Sequence, residues 1–158
     1  GDLYSLYCKD DSQSWAAGDG SLFMRSSAGT WSARNSMSLQ HADYRAVWSP
    51  APGEAFAFGV ARYGVYWNTV DLMLMDTPGG ISPDQVNALW GSSIDNLYAV
   101  GFYTFPSESG FVVRFDGAQW QLVDSGSQHA VKAITGSSNT DVWIGTEAGG
   151  LLKGIAPP

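Results

Sequence analysis

Glu108, Glu147, His41 and His129 are the residues of this chain with the most chemical potential. A carboxylate pair held ~5–10 Å apart can cleave a glycosidic bond, one member protonating the leaving group while the other attacks or activates water. Two imidazoles can share a metal ion once folding joins them, but His41 and His129 lack the short ligand spacing that announces such a site. No Gly-x-Ser-x-Gly elbow, His-Glu-x-x-His pair or phosphate-cradling glycine loop occurs, so no cofactor is expected. Asp10-Asp11, Glu54, Asp95 and Asp141 invite a calcium reading, because hard cations want clustered carboxylates. Each sits among Ser, Gly and Asn, however, and turn chemistry accounts for them.

The elements that must position these residues repeat. Trp15-Ala16-Ala17-Gly18, Phe56-Ala57-Phe58-Gly59, Tyr98-Ala99-Val100-Gly101 and Trp143-Ile144-Gly145-Thr146 follow one another after 41, 42 and 45 residues. An upstream run keeps one offset in every copy: Ser5-Leu6-Tyr7, Ala46-Val47-Trp48, Ala88-Leu89-Trp90 and Ala133-Ile134-Thr135. A period near 40–45 residues, with four short apolar runs per copy separated by turn residues, is the pattern of a propeller blade. The sequence thus predicts an all-β chain of four-stranded antiparallel blades. Its repeats span 1–43, 44–85, 86–130 and 131–158, and the last lacks its outer strand. With strands A to D in each copy, strand A covers Leu3–Cys8 and strand B Ser14–Gly18 in the first, while strand D of the second covers Val70–Met75. In the fourth the strands fall at Val131–Thr135, Asp141–Thr146 and Gly150–Gly154, for about 15 in all. The 158 residues are read as one propeller unit, either a small ring or part of a larger one completed by further blades or by a second copy.

Departures from the repeat mark the expected binding face. In a propeller the D-to-A and B-to-C connections share one end, and function gathers on loops held by a rigid scaffold. The B-to-C loops carry Arg62 and Tyr63 in the second copy, and Tyr103 and Phe105 in the third. The D-to-A loops carry His41, Asp43, Asp84 and His129. Just inside them, Tyr4, Arg45, Asn87 and Lys132 occupy one repeat position with four different polar groups. Flat rings beside directional donors and acceptors suit a carbohydrate or a protein partner. Trp15, Trp48, Trp90 and Trp143 recur in the strands and are assigned to the core between blades, while Trp31 and Trp120 open outer strands and clamp the blade edge.

Composition narrows the partner. The net charge is −7, with three Lys and five Arg, so neither nucleic-acid phosphates nor anionic lipid are expected ligands. No apolar run reaches the ~20 residues of a membrane-crossing helix. The single Cys8 excludes an internal disulfide.

Ala88-Leu89-Trp90-Gly91-Ser92-Ser93, Leu97-Tyr98-Ala99-Val100-Gly101 and Arg114-Phe115-Asp116-Gly117-Ala118-Gln119-Trp120 resemble the repeats of bacterial secreted or surface β-propellers. The turns at Ser26–Trp31 and Asp116–Trp120 are distantly like the Asp boxes of sialidase-type propellers but lack their Ser-x-Asp-x-Gly-x-x-Trp order, so sialidase activity is not implied. The resemblance implies an extracellular or cell-surface location. The expectation is a non-catalytic binding module, with a glycosidase- or lyase-type propeller and a structural segment of a larger ring as alternatives.

Overall fold

Short alternating apolar runs cut by glycine and Asx turns leave the chain one way to satisfy its backbone, as antiparallel meanders. The computed structural model describes residues 1–10, 13–34, 43–60, 63–76, 84–104 and 108–153. Among the described residues there are fifteen strands and no helix. β1 (Leu3–Asp10), β2 (Gln13–Gly18), β3 (Ser21–Arg25) and β4 (Trp31–Ala33) pair in that order as the first sheet. β5 (Asp43–Trp48), β6 (Glu54–Val60), β7 (Tyr63–Asn68) and β8 (Leu72–Asp76) form the second. β9 (Gln85–Ser93), β10 (Asn96–Tyr103), β11 (Ser109–Phe115) and β12 (Trp120–Val123) form the third. β13 (Val131–Ser138), β14 (Asp141–Thr146) and β15 (Leu151–Lys153) form a three-stranded fourth. These are four blades, the last without an outer strand among the described residues.

Local chemistry sets the boundaries. The Asp116 carboxylate accepts from the backbone N–H groups of Ala118 and Gln119, and Gly117 takes φ 95° between β11 and β12. β8 starts at Leu72, two residues later than Val70–Met75 predicts, because Asn68 Oδ1 accepts from the N–H groups of Val70 and Asp71 and holds Thr69 at φ 77°. β13 runs on to Ser138, beyond the expected Thr135, since a second register shift between Gly136 and Ser138 lets pairing resume. β15 is correspondingly short.

The chain divides into two compact units, Gly1–Asp76 with the first two blades and Thr77–Pro158 with the other two. In the first, Trp15, Ala17 and Leu22 pack on Tyr44, Val47, Ala55, Ala57 and Val65 of the next blade. In the second, Tyr98, Val100, Val112 and Val123 pack on Val131, Val142 and Ile144. Both interfaces use one recipe: a large aromatic on the earlier blade enters a face of small or branched residues on the later one. Burying such a ring stabilises the fold by roughly 4–6 kcal/mol at most, from 150–250 Å² of covered surface.

Trp15 is fully buried and Trp48 is 5% exposed, as core positions should be. Trp90 lies tilted against Tyr98 with ring centres 6.2 Å apart, at the edge of the second core. Trp143 departs from the core assignment. It is half-buried on the face of its blade turned away from Val142 and Ile144, under the Lys153 ammonium and hydrogen-bonded through Nε1 to Asp141. Trp120 packs on Phe115 at 5.2 Å, whereas Trp31 is 43% exposed.

Candidate functional site: a bulge in every blade

Tyr4, Arg45, Asn87 and Lys132 share a backbone device. The β1–β2 register steps from Leu3↔Gly18 to Ser5↔Ala17, leaving Tyr4 as the extra residue. The same step leaves out Arg45 between Tyr44 and Ala46, Asn87 between Val86 and Ala88, and Lys132 between Val131 and Ala133. A β-bulge bends its strand and re-aims one side chain, so every blade lifts one polar group out of its ladder at the same end. In three blades a glycine faces the bulge because the bent strand A comes too close for a side chain. A Cβ on Gly18, Gly59 or Gly101 would lie 2.0, 1.8 or 2.0 Å from the carbonyl oxygen of Asp2, Asp43 or Gln85. The fourth blade carries Thr146 there, paired with Val131.

In the first unit the two lifted groups close on each other. The Arg45 guanidinium sits 3.7 Å above the centre of the Tyr4 ring and binds Asp43 Oδ2 through Nη2 at 2.6 Å and Nε at 3.1 Å. The Tyr4 hydroxyl donates to Asp19 Oδ1 at 2.9 Å, and Asp19 bridges to Asp43 through the backbone. The Asp43 hydrogen bond raises the Arg45 pKa, the Asp19 hydrogen bond raises that of Tyr4, and the Asp2 N–H together with Tyr4 lowers that of Asp19. The circuit Tyr4–Asp19–Asp43–Arg45 ties the two bulge groups together through Asp43 Oδ2 and leaves Asp43 Oδ1 buried without a hydrogen-bond partner.

In the second unit the equivalent groups bond separately, and Lys132 reaches a residue that lines a cleft. Asn87 accepts from Gln85 Nε2 and donates to the Val131 carbonyl at 2.7 Å, tying the third blade to the fourth. Lys132 lies over Phe102, 5.0 Å from the ring centre, and reaches Glu147 Oε2 at 3.4 Å. Two residues before Arg45 stands Asp43, but two before Lys132 stands Ala130. Without that carboxylate Lys132 turns to the B-to-C loop, and a cleft of about 700 Å³ remains, lined by Glu108, Ser109, Gln128, His129, Ala130, Glu147 and Ala148. Asp84 closes the neighbouring loop by accepting from the Thr104 N–H and, at 2.7 Å, from its hydroxyl.

The structure therefore brings together Arg45 with Tyr4, and separately Lys132 with Glu147, beside His129 and Glu108. Tyr103 ends β10 opposite Ser109, next to that cleft, while Tyr63 stands 41% exposed at the start of β7. His41, Arg62 and Phe105 lie outside the described residues. Among the described residues no group of three or more His, Cys, Asp or Glu side chains could hold a metal ion. The turn acids instead serve their own turns: Glu54 accepts from the Tyr66 hydroxyl, Asp95 from Ser93, and Asp141 from Ser137, Trp143 and Lys153. Asp19 and Ala130 are site residues to which the sequence reading gave no role. Ala130 was readable by applying the Asp43–Arg45 offset to Lys132.

No protein-family model matches the chain, and no curated protein sequence does. Solved structures do. A structure of YCF48 bound to a D1 peptide is 17% identical with a TM-score of 0.62, over 92% of this chain and 46% of that one. YCF48 from Cyanidioschyzon merolae is 10% identical with a TM-score of 0.68, over 99% of this chain and 54% of that one. The chain spans about half the length of these proteins, and what it shares with them is the β-propeller fold.

Proposed function

We propose that this chain is a non-catalytic binding module that takes a protein segment at the cleft beside Lys132 in its second unit. The observation that carries the reading is the bulge itself, which lifts Tyr4, Arg45, Asn87 and Lys132 out of four otherwise uniform blades. The cleft is lined by two carboxylates and an imidazole, with Lys132 paired to one of those carboxylates and the Tyr103 ring near by, a mix that can read a peptide's side chains and backbone. A peptide-bound YCF48 shares the fold, which supports a protein over a carbohydrate as the ligand. A cell-surface or extracellular setting belongs to the same reading.

Panning a random twelve-residue peptide library on the immobilised chain, beside a glycan array, tests it. The reading expects a selected peptide whose affinity drops about tenfold in Lys132→Ala and in Tyr103→Ala. Glycan binding lost with the same substitutions, or peptide binding indifferent to both, would overturn it. The catalytic alternative has one observation in its favour, that Glu108 and Glu147 line one cleft with His129. It requires glycan turnover that Glu108→Gln abolishes.

A further inference from the structure

We infer that the partner segment brings a lysine or arginine side chain into the cleft beside Lys132, where the Glu108 carboxylate binds it. The inference rests on the reading of that cleft as a peptide site and adds the chemistry of what enters it. The backbone holds the two cleft carboxylates in one place. The Glu147 N–H donates to the Ala130 carbonyl at 2.9 Å. β11 passes so close to the same segment that a Cβ on Gly110 would lie 2.2 Å from the His129 carbonyl oxygen. Glu108 stands two residues before Gly110, so the B-to-C loops of the third and fourth blades each present one carboxylate beside His129.

The two carboxylates are not equally used. Glu147 is paired with Lys132 at 3.4 Å. Among the described residues no hydrogen bond or ion pair reaches the carboxylate of Glu108, which is exposed. Asp84, Asp95, Asp116, Asp124 and Asp141, the other acids of this unit, each accept hydrogen bonds from nearby residues. Its remaining cations are engaged too, Lys153 with Asp141 and Arg114 with Asn96. The cleft therefore carries one uncompensated negative charge, in a unit with seven carboxylates against three cations. Charge complementarity selects a cationic side chain there, since a guanidinium or ammonium forms charge-assisted bonds with Glu108 and an acidic residue is repelled. Lys132 has three N–H donors and Glu147 takes one, so the same ammonium can also bind a backbone carbonyl of the segment. A second cleft of about 370 Å³ shares Gln128 and His129 with the first, and its lining, which includes Ser127, Thr146 and Leu152, carries no carboxylate. Charge recognition is thus confined to one compartment, which fixes where the basic residue of an extended segment sits.

Panning the random peptide library on the intact chain and on Glu108→Arg tests the inference. Wild type should select peptides that carry a lysine or arginine, and Glu108→Arg should select peptides with an acidic residue in that place. For a peptide selected on wild type, replacing its basic residue by glutamine should weaken binding about fivefold, and Glu108→Gln should do the same. The two changes together should cost no more than either alone. Asp95→Asn removes an equal charge at the β9–β10 turn and should keep the affinity within about twofold. Selected peptides without a basic residue, losses that simply add, or an equal loss in Asp95→Asn would each overturn the inference. Each would leave the peptide reading standing, because Lys132→Ala and Tyr103→Ala test that separately. A chain that selects no peptide overturns both.

Discussion

The two units place the same bulge at the same end of the same kind of blade, yet one is shut and the other open. In the first unit, Asp43 holds Arg45 against the Tyr4 ring. In the second, Ala130 takes the place of Asp43, Lys132 leans to the rim, and a cleft of about 700 Å³ stands beside it. The bulge is common to both, but its surroundings differ: Asp43 stands two residues before Arg45 and Ala130 two before Lys132, and the residue facing the bulge is Gly59 in one blade and Thr146 in the other.

The largest contrast concerns the repeat aromatics. Trp15→Ala empties a fully buried site and should cost about 3–5 kcal/mol in urea unfolding, whereas Trp143→Ala, at the equivalent but half-buried site, should cost no more than about 1 kcal/mol. Equal costs would mean that Trp143 is covered in solution. Next comes the bulge. Gly59→Ala drives a Cβ into the Asp43 carbonyl and should destabilise by about 1–3 kcal/mol while displacing Arg45.

Removing the bulge cations themselves should separate the units more finely. Arg45→Ala removes the cation held between Asp43 and the Tyr4 ring and should cost about 1 kcal/mol. Lys132→Ala loses a rim pair with side chains 44% and 56% exposed and a cation over Phe102, and should cost less than Arg45→Ala, at most about 1 kcal/mol. Alkaline titration probes the first unit further. Desolvation, with the Glu54 hydrogen bond, pushes Tyr66 up to about 12. Its folded pKa is raised, so its contribution is fully present below the ordinary value of 10 and fades as the pH climbs from there toward 12. Tyr66→Phe should flatten that part of the stability curve.

Much of the fold was legible because it is written four times. The strand aromatics and the small residues after them recur at nearly one period, and strand alternation fixes which face each takes. β8 was misplaced because its start depends on the Asn68 turn, which occurs in that copy alone. The candidate site was half legible. Tyr4, Arg45, Asn87 and Lys132 stood out as polar and unequal, but nothing local announces a bulge, because it is a step in the pairing with the neighbouring strand. Likewise Glu108, His129 and Glu147 meet only because the third and fourth blades bring their loops together.

The most direct test exchanges the residue that separates the two units. Affinity for the selected peptide should fall about tenfold in Ala130→Asp, where the new carboxylate captures Lys132 as Asp43 captures Arg45. It should stay within about twofold in Asp43→Ala, with tenfold corresponding to about 1.4 kcal/mol. The opposite order, with binding lost in Asp43→Ala and kept in Ala130→Asp, would contradict the assignment of the open cleft as the binding surface.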